Sequence, residues 1–453
     1  MSEILFQYHK VHPTTWVYLS SLLTIGLFFK FSRVWSVRNL DLLGLIMLAP
    51  GLLMVEYGTA QQTPHIEQYG YVWLFVTGGL FMIRLLLDPI MVRRPLLEPN
   101  LSPGAMTFMG VSAVVFLLAN VVNSKMEPAD LVGVKGAEHV QALESPSPGE
   151  EQDLAIHGPG YPLLHLLPAL STQALMIDEA PRQTPQQRDL GRDRVRVATA
   201  RIMAIMSQLA IVVGMVLIGY HHFNNVRTGI AAATLYLLLP YSAQLSGRVG
   251  HVLPAALLVW AVVTYRRPFI AGIFIGLAIS AIYYPVFLLP LWLGFYWQRG
   301  LLRFSLGVAI TMAITVASLA FISDSVSSFW MHVQQMFGWT SLMPATLDGF
   351  WGFGILDPAY RYPVLVLLAA FCISLAIWPA QKNLGTLLSC SAAVMLATQF
   401  WLPDGGGLYM AWYLPLMLLT IFRPNLEDRV ALQVLGEGWF PKRKPKFGVV
   451  QAA

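Results

Sequence analysis

The stretch IMAIMSQLAIVVGMVLIGY, residues 202–220, decides the fold class. It carries no charged side chain, and about 20 such residues cross a hydrocarbon core of about 30 Å as one helix. Arginines crowd its upstream edge (Arg192, Arg194, Arg196, Arg201), and His221, His222 and Arg227 follow it. The same alternation continues in both directions. Upstream lie Trp16–Phe29, Leu42–Val55, Tyr71–Met82 and Ala105–Val122. Downstream lie Gly229–Leu239, Leu253–Val263, Phe269–Leu289, Leu306–Phe321, Val364–Ile377, Leu384–Phe400 and Leu408–Ile421. Across all 453 residues, 56% are hydrophobic and 12% charged. A soluble domain carries about 25% charged residues, so this chain lacks the polar groups to cover a water-facing surface. Composition therefore predicts an all-α, polytopic integral membrane helix bundle, and excludes disordered, fibrous and disulfide-scaffold classes. The net charge of +5 sits in short gaps between apolar runs, a topogenic pattern and no footprint for nucleic acid. Cys372 and Cys390 read as small core residues. The first apolar run lacks a small-residue cleavage site and reads as retained.

The positive-inside rule orders the runs. Inside fall Lys30–Arg38, Arg84–Arg94, His221–Arg227, Arg266–Arg267, Arg299–Arg303, Lys382 and the tail Arg423–Lys446. Outside fall Thr59–Gln68, the region from Asn123 to about Ala200, Ser242–Val249, Ser323–Ala359 and Pro403–Gly407. The expectation is about 13 spans (12–14), N-terminus outside and C-terminus inside. Phe269–Trp297 is too long for one crossing; Pro285 within it favours two short helices or one broken helix. The arginines from Arg182 to Arg201 fit the map least well. A crossing by Tyr161–Met176 would move them inside, but that segment is short and holds Pro162 and Pro168, so it reads as an interfacial helix. The layout is then a four-span region (1–122), an outward loop with juxtamembrane helices (123–200), a central membrane core (201–322), a second outward loop (323–360), a three-span region (361–423) and a cytoplasmic tail (424–453).

No Walker motif, GxGxxG or Cys-rich metal motif occurs. The first outward loop instead holds an ordered inventory. Acids come first, among them Glu127, Asp130 and Glu138; then His157-Gly158-Pro159-Gly160-Tyr161-Pro162; then the arginines. A membrane enzyme that moves a sugar from a lipid phosphate needs such groups. A carboxylate, Asp130 or Glu127, takes the acceptor hydroxyl proton. Arg192, Arg196 or Arg201 steadies the leaving phosphate, with His157 and Tyr161 lining the pocket. The plainer readings are hydrated loop acids, a shaped turn and ordinary headgroup contacts. In the second loop, Trp339, Asp348 and Trp351 suit sugar rings, whose C–H faces are apolar and hydroxyls polar; an aromatic belt is the equal alternative. His221 and His222 lack further ligands at metal-site spacing. Gly272 and Gly276 have the small-xxx-small spacing of close helix packing.

This layout resembles the GT-C superfamily of polytopic membrane glycosyltransferases, which use polyprenyl-phosphate sugars. Pro159-Gly160-Tyr161-Pro162-Leu163 is similar to that superfamily's proline-aromatic element, and Arg196 or Arg201 to the Arg opening its next span. Leu239-Pro240, Arg266-Arg267, the run from Ala271 to Ala278 and Tyr284-Pro285 resemble its membrane core, so the likeness covers roughly residues 100–330. The chain departs in two respects: the acidic loop follows the fourth span instead of the first, and no Asp-Asp or Asp-Glu pair stands at the membrane exit. The resemblance implies an inverting single displacement from a polyprenyl-phosphate-linked sugar to a lipid, glycan or protein acceptor, on the outer face of a bacterial inner (plasma) membrane. It names no required cofactor, although an acid-rich loop suits a divalent metal. Membrane lipids are expected partners. The rivals are a secondary transporter or flippase and a component of envelope polysaccharide assembly.

Overall fold

The computed structural model describes residues 12–91, 97–124, 126–142, 158, 160–176, 185–245, 247–323, 325–339, 342, 347–379 and 382–424. Among them every regular element is helical. The N-terminal part comprises α1 (Pro13–Phe28), α2 (Val37–Ala60), α3 (Pro64–Leu87) and α4 (Pro103–Asn123). The first loop holds α5 (Pro128–Ala142) and α6 (Gly160–Met176), and leads into α7 (Pro185–His221). The core follows with α8 (Val226–Leu238), α9 (Pro240–Leu245), α10 (Val249–Val263), α11 (Pro268–Ala281), α12 (Leu289–Tyr296) and α13 (Leu301–Ile322). Then come α14 (Val326–Met336), α15 (Arg361–Ile377), α16 (Leu384–Gln399) and α17 (Leu414–Phe422).

Among the described residues six helices are long and apolar enough to cross a membrane: Val37–Ala60, Pro64–Ile90, Pro103–Asn123, Gly191–His221, Leu301–Ala320 and Pro358–Ile377. They leave large apolar side chains facing outward, among them Leu80, Phe108, Val115, Ile314 and Val366. Such a surface suits lipid and not water. The expected count of about 13 spans (12–14) is therefore corrected: the described residues hold six helices of spanning length and five shorter apolar ones of 10–17 residues. Prolines stand at two of the interruptions. Pro240 follows the extended Leu239 that caps α8, and the run from Phe269 breaks where Ile282 turns extended and Tyr284–Leu288, with Pro285, coils into a 3-10 turn before α12. That break was one of the two arrangements the sequence favoured.

The shorter helices lie inside. Every residue of α16 and of α17 is buried. Gly385 of α16 leaves room for the Arg423 guanidinium, and Ser391 accepts from the Trp292 indole N–H at 3.2 Å. Small residues join α11 to α13 by close backbone approach, which is how helices associate when lipid competes for apolar contact: Cβ atoms at Gly272 and Gly307 would collide with the carbonyls of Phe304 and Phe269. The close packing expected of Gly272 and Gly276 is thus present.

At the end where α2 and α17 meet the basic loops, a buried ion network ties the first helices to the last. Arg84 grips Asp41 through two bonds of 2.7 and 2.8 Å and reaches Asp88 at 3.1 Å. Asp88 in turn accepts from Arg423 at 2.8 Å.

Candidate functional site

The site is assembled at the end of α4. Ser124 closes that helix, and Asn120 one turn earlier donates to the Ala243 carbonyl at 2.8 Å, fixing α4 against the α9 turn. The chain then reverses through Met126–Pro128 into α5. Glu127 and Asp130 lock this turn from both sides. The Asp130 N–H donates to the Glu127 carbonyl at 3.0 Å, and the Glu127 N–H donates to Asp130 Oδ2 at 3.1 Å. Arg248, the residue before α10, reaches across to both acids. Its Nη1 stands 3.3 Å from Asp130 Oδ2, and its Nη2 pairs with Glu127 Oε1. From α7, Arg201 donates to the Ser124 carbonyl at 2.9 Å. Two guanidiniums and two carboxylates therefore share one helix end.

Beneath them lies an apolar plug. Tyr161, wholly buried, packs with Val121, Met203, Ala204, Val249, Leu253 and Ala281, one cluster from five helices. Gly158 is seated on α11, its N–H donating to the Ala281 carbonyl at 2.8 Å. Side chains at Gly158 or Gly160 would collide with Ser280, so only glycine admits this approach. Gly133 lets α5 meet the Tyr161 and His165 rings in the same way.

Burial sets the electrostatics. It raises the Asp130 carboxyl above the ordinary aspartate value, more than the neighbouring Arg248 lowers it. It also raises the Tyr161 phenol, and the Asp130 charge nearby adds to this. His165 is pushed down to about 4 by the same cause, so it is neutral at physiological pH. Its Nδ1 lies 2.8 Å from the Tyr161 carbonyl, which holds the ring in place. Arg248 is itself half-buried, an effect that the two acids outweigh; its pKa is raised.

An aromatic wall extends from Arg248. One turn on, His251 stacks on Tyr409 with centroids 4.4 Å apart and lies 2.9 Å from the Tyr241 hydroxyl. Tyr409 leads to Trp412 at 4.5 Å, and Trp412 to Tyr284 at 5.4 Å. Tyr283 and Tyr284 face Trp401, over which the Arg361 guanidinium lies at 5.6 Å. Asp404, in the last loop, is held above the ordinary aspartate value by burial and then by Asp348.

The candidates named from sequence separate into groups. Asp130, Glu127, Tyr161 and Arg201 come together. Arg196 does not join them; it clamps Glu138 of α5 through bonds of 2.6 and 3.0 Å, with Asp193 at 3.2 Å. Arg192 is exposed on α7. His157 and Arg182 lie outside the described residues. In the second loop, the Asp348 N–H donates to the Pro403 carbonyl at 3.0 Å. Trp351 donates to the Phe400 carbonyl at 3.1 Å and lines an apolar cavity of about 510 Å³. Trp339 is exposed. Among the described residues no three His, Cys, Asp or Glu side chains stand together as a metal site requires, and Glu127 and Asp130 are turned toward Arg248. Sequence reasoning missed Arg248. Its signal was a lone basic residue in a short loop that the charge rule places outside, where such residues are uncommon.

No protein-family model, no curated protein and no solved structure matches this chain.

Proposed function

We propose that this chain is a membrane glycosyltransferase of the GT-C kind, moving a sugar from a polyprenyl-phosphate donor to an acceptor on the outer face of the membrane. The observation that carries the reading is the Asp130–Arg248–Glu127 cluster beside Arg201, at a helix end and above a buried apolar plug. Asp130 is the general base. Its burial-raised pKa brings it nearer the operating pH, where a base is most effective. It takes the proton from the acceptor hydroxyl as that oxygen attacks the anomeric carbon from the face opposite the phosphate. The C–O bond to the phosphate breaks, and the departing negative charge is met by Arg201 and Arg248. Glu127, more than half exposed, holds Arg248 from the open side and is the carboxylate a donor phosphate would displace. The wall of His251, Tyr409 and Trp412 offers ring faces for the sugar. In this reading the shorter apolar helices complete the membrane bundle, with the acidic loop and the loop before α15 on the outer side of a bacterial inner membrane.

The architecture gives the flippase alternative less support. A transporter places ionisable groups at mid-depth, whereas Asp41, Arg84, Asp88 and Arg423 stand at helix ends. The deciding experiment is mass spectrometry of lipid-linked sugars in cells lacking the protein, followed by transfer assays with the species that accumulates. Accumulation of one polyprenyl-phosphate sugar, and its consumption by the wild type but not by Asp130→Asn, supports the proposal. Unchanged turnover in an Asp130→Asn/Glu127→Gln double variant removes it.

A further inference from the structure

The far end of α11 carries a second polar feature that the transferase reading does not use. Its first residue, Pro268, lies 13 residues before Ala281, which is roughly 20 Å along a helix, so it is well separated from Asp130. There α11 and α13 begin side by side around a cavity of about 750 Å³. Arg266, Arg267, Arg299 and Arg303 line it, and among the described residues no acidic one does. Neither helix has a side-chain N-cap at this point: the N-cap positions are Arg267 and Gly300, the latter in a left-handed conformation at φ 98°. The positive ends of both helices therefore add to the four guanidiniums. Arg299 and Arg303 form no ion pair among the described residues and are exposed.

The cavity also has an apolar exit. Trp297 and Phe269 stand exposed on its rim. From there Leu302, Leu306, Ile310 and Ile314, four residues apart and all exposed, form a continuous stripe down α13. A soluble anion would need the arginines alone. A stripe of bare Leu and Ile leading from an arginine pocket along a spanning helix matches a molecule with a phosphate at one end and an acyl chain at the other.

We infer that this cavity binds an anionic phospholipid, its phosphate among Arg266, Arg267, Arg299 and Arg303 and an acyl chain along the Leu302–Ile314 stripe of α13. Basic pockets between membrane helices take such headgroups, at about a factor of five in affinity per guanidinium. The inference is independent of the transferase proposal.

The test uses the full chain, purified in mild detergent, stripped of lipid and titrated with cardiolipin, phosphatidylglycerol or phosphatidylcholine under native mass spectrometry. The wild type should retain cardiolipin and phosphatidylglycerol well above phosphatidylcholine. Arg299→Gln/Arg303→Gln should bind the anionic lipids roughly 30-fold more weakly. Lys30→Gln/Arg33→Gln, the same charge removed elsewhere on the surface, should bind like the wild type. Ile310→Gln/Ile314→Gln should weaken lipid binding with all arginines in place. Equal retention of phosphatidylcholine, undiminished binding by Arg299→Gln/Arg303→Gln, or full displacement by millimolar inorganic phosphate would overturn the inference; the last would mark a site for free anions. Should Arg299→Gln/Arg303→Gln not purify as a single species, Arg303→Gln alone, exposed on the surface, carries the comparison.

Discussion

Replacing Asp88 by Asn tests how the first and last helices of this bundle are held together. The Asp88 carboxylate is wholly buried and bridges two guanidiniums: Arg84 at 3.1 Å and Arg423 at 2.8 Å. Neutralising it affects them unequally. Arg84 keeps its two-bond grip on Asp41. Arg423 is 7% exposed, and Asp88 is the carboxylate it pairs with among the described residues. Breaking a buried pair by removing one partner costs about 3–5 kcal/mol, because the remaining charge stays desolvated. Unfolding entropy of roughly 0.002 kcal/mol/K per residue makes 1 kcal/mol worth about 1 °C for a chain of this length. Asp88→Asn should therefore melt about 3–5 °C below the wild type, followed by tryptophan fluorescence in detergent at a fixed scan rate. Asp193→Asn removes a carboxylate that is 68% exposed in its pair with Arg196. An exposed pair contributes about 0–1 kcal/mol, so this variant should stay within about 1 °C. Asp88→Leu/Arg423→Met removes both charges and should recover most of the loss, since an apolar pair of similar volume avoids the desolvation penalty. If Asp88→Asn melts with the wild type, or the double variant is no better than the single one, Asp88 is not the carboxylate that compensates Arg423.

Other outcomes follow from the site and the packing. Asp130→Asn should lower sugar transfer about 10²–10⁴-fold while membrane insertion, followed by fractionation and gel filtration, is unchanged. Because burial raises the Asp130 pKa and only the ionised form accepts a proton, activity should fall as pH drops through a value above the usual aspartate range of about 4; a pH–rate profile flat down to that range would exclude Asp130 as the base. Arg248→Lys keeps the charge but loses the fork that reaches both acids, so kcat should fall and the acid limb should shift, whereas Arg192→Lys should leave both unchanged. Gly307→Leu forces a side chain into the Phe269 carbonyl and should abolish the folded, monodisperse protein, read by gel filtration, while Gly79→Leu, where a Cβ meets nothing within 4 Å, should be tolerated.

How much of this was legible in the sequence depends on the range of the interaction. Apolar runs and the charges between them are local, so the helical membrane class, the break near Tyr284 and the Gly272 contact could be read directly. Helix length was less legible. An apolar run records burial, and a short helix shielded inside the bundle looks the same as one facing lipid; α16, buried at every position, shows why a count of runs exceeded the count of spanning helices. Pairing partners were least legible. Arg196 and Arg201 are five residues apart and seemed equivalent. A helix turns about 500° over five residues, so one meets Glu138 and the other meets the end of α4.

Arg248 shows what the missing step was. It lies 118 residues from Asp130, and nothing local marks the two as neighbours. Yet its place, a basic residue in a short loop that the charge rule puts outside, could have singled it out. In a bilayer a basic residue on the disfavoured side is retained against the topogenic bias, and an acid beside it can partner its charge. The outward region with the most acids was the one opened by Glu127 and Asp130. Pairing each exception to the charge rule with the nearest acids on its own side would have joined Arg248 to this site before any coordinates were known. Applied to Arg361, which opens α15 at the end of a loop that the charge rule places outside and lies over Trp401, the same reasoning makes it the next position to vary in testing the proposed donor site.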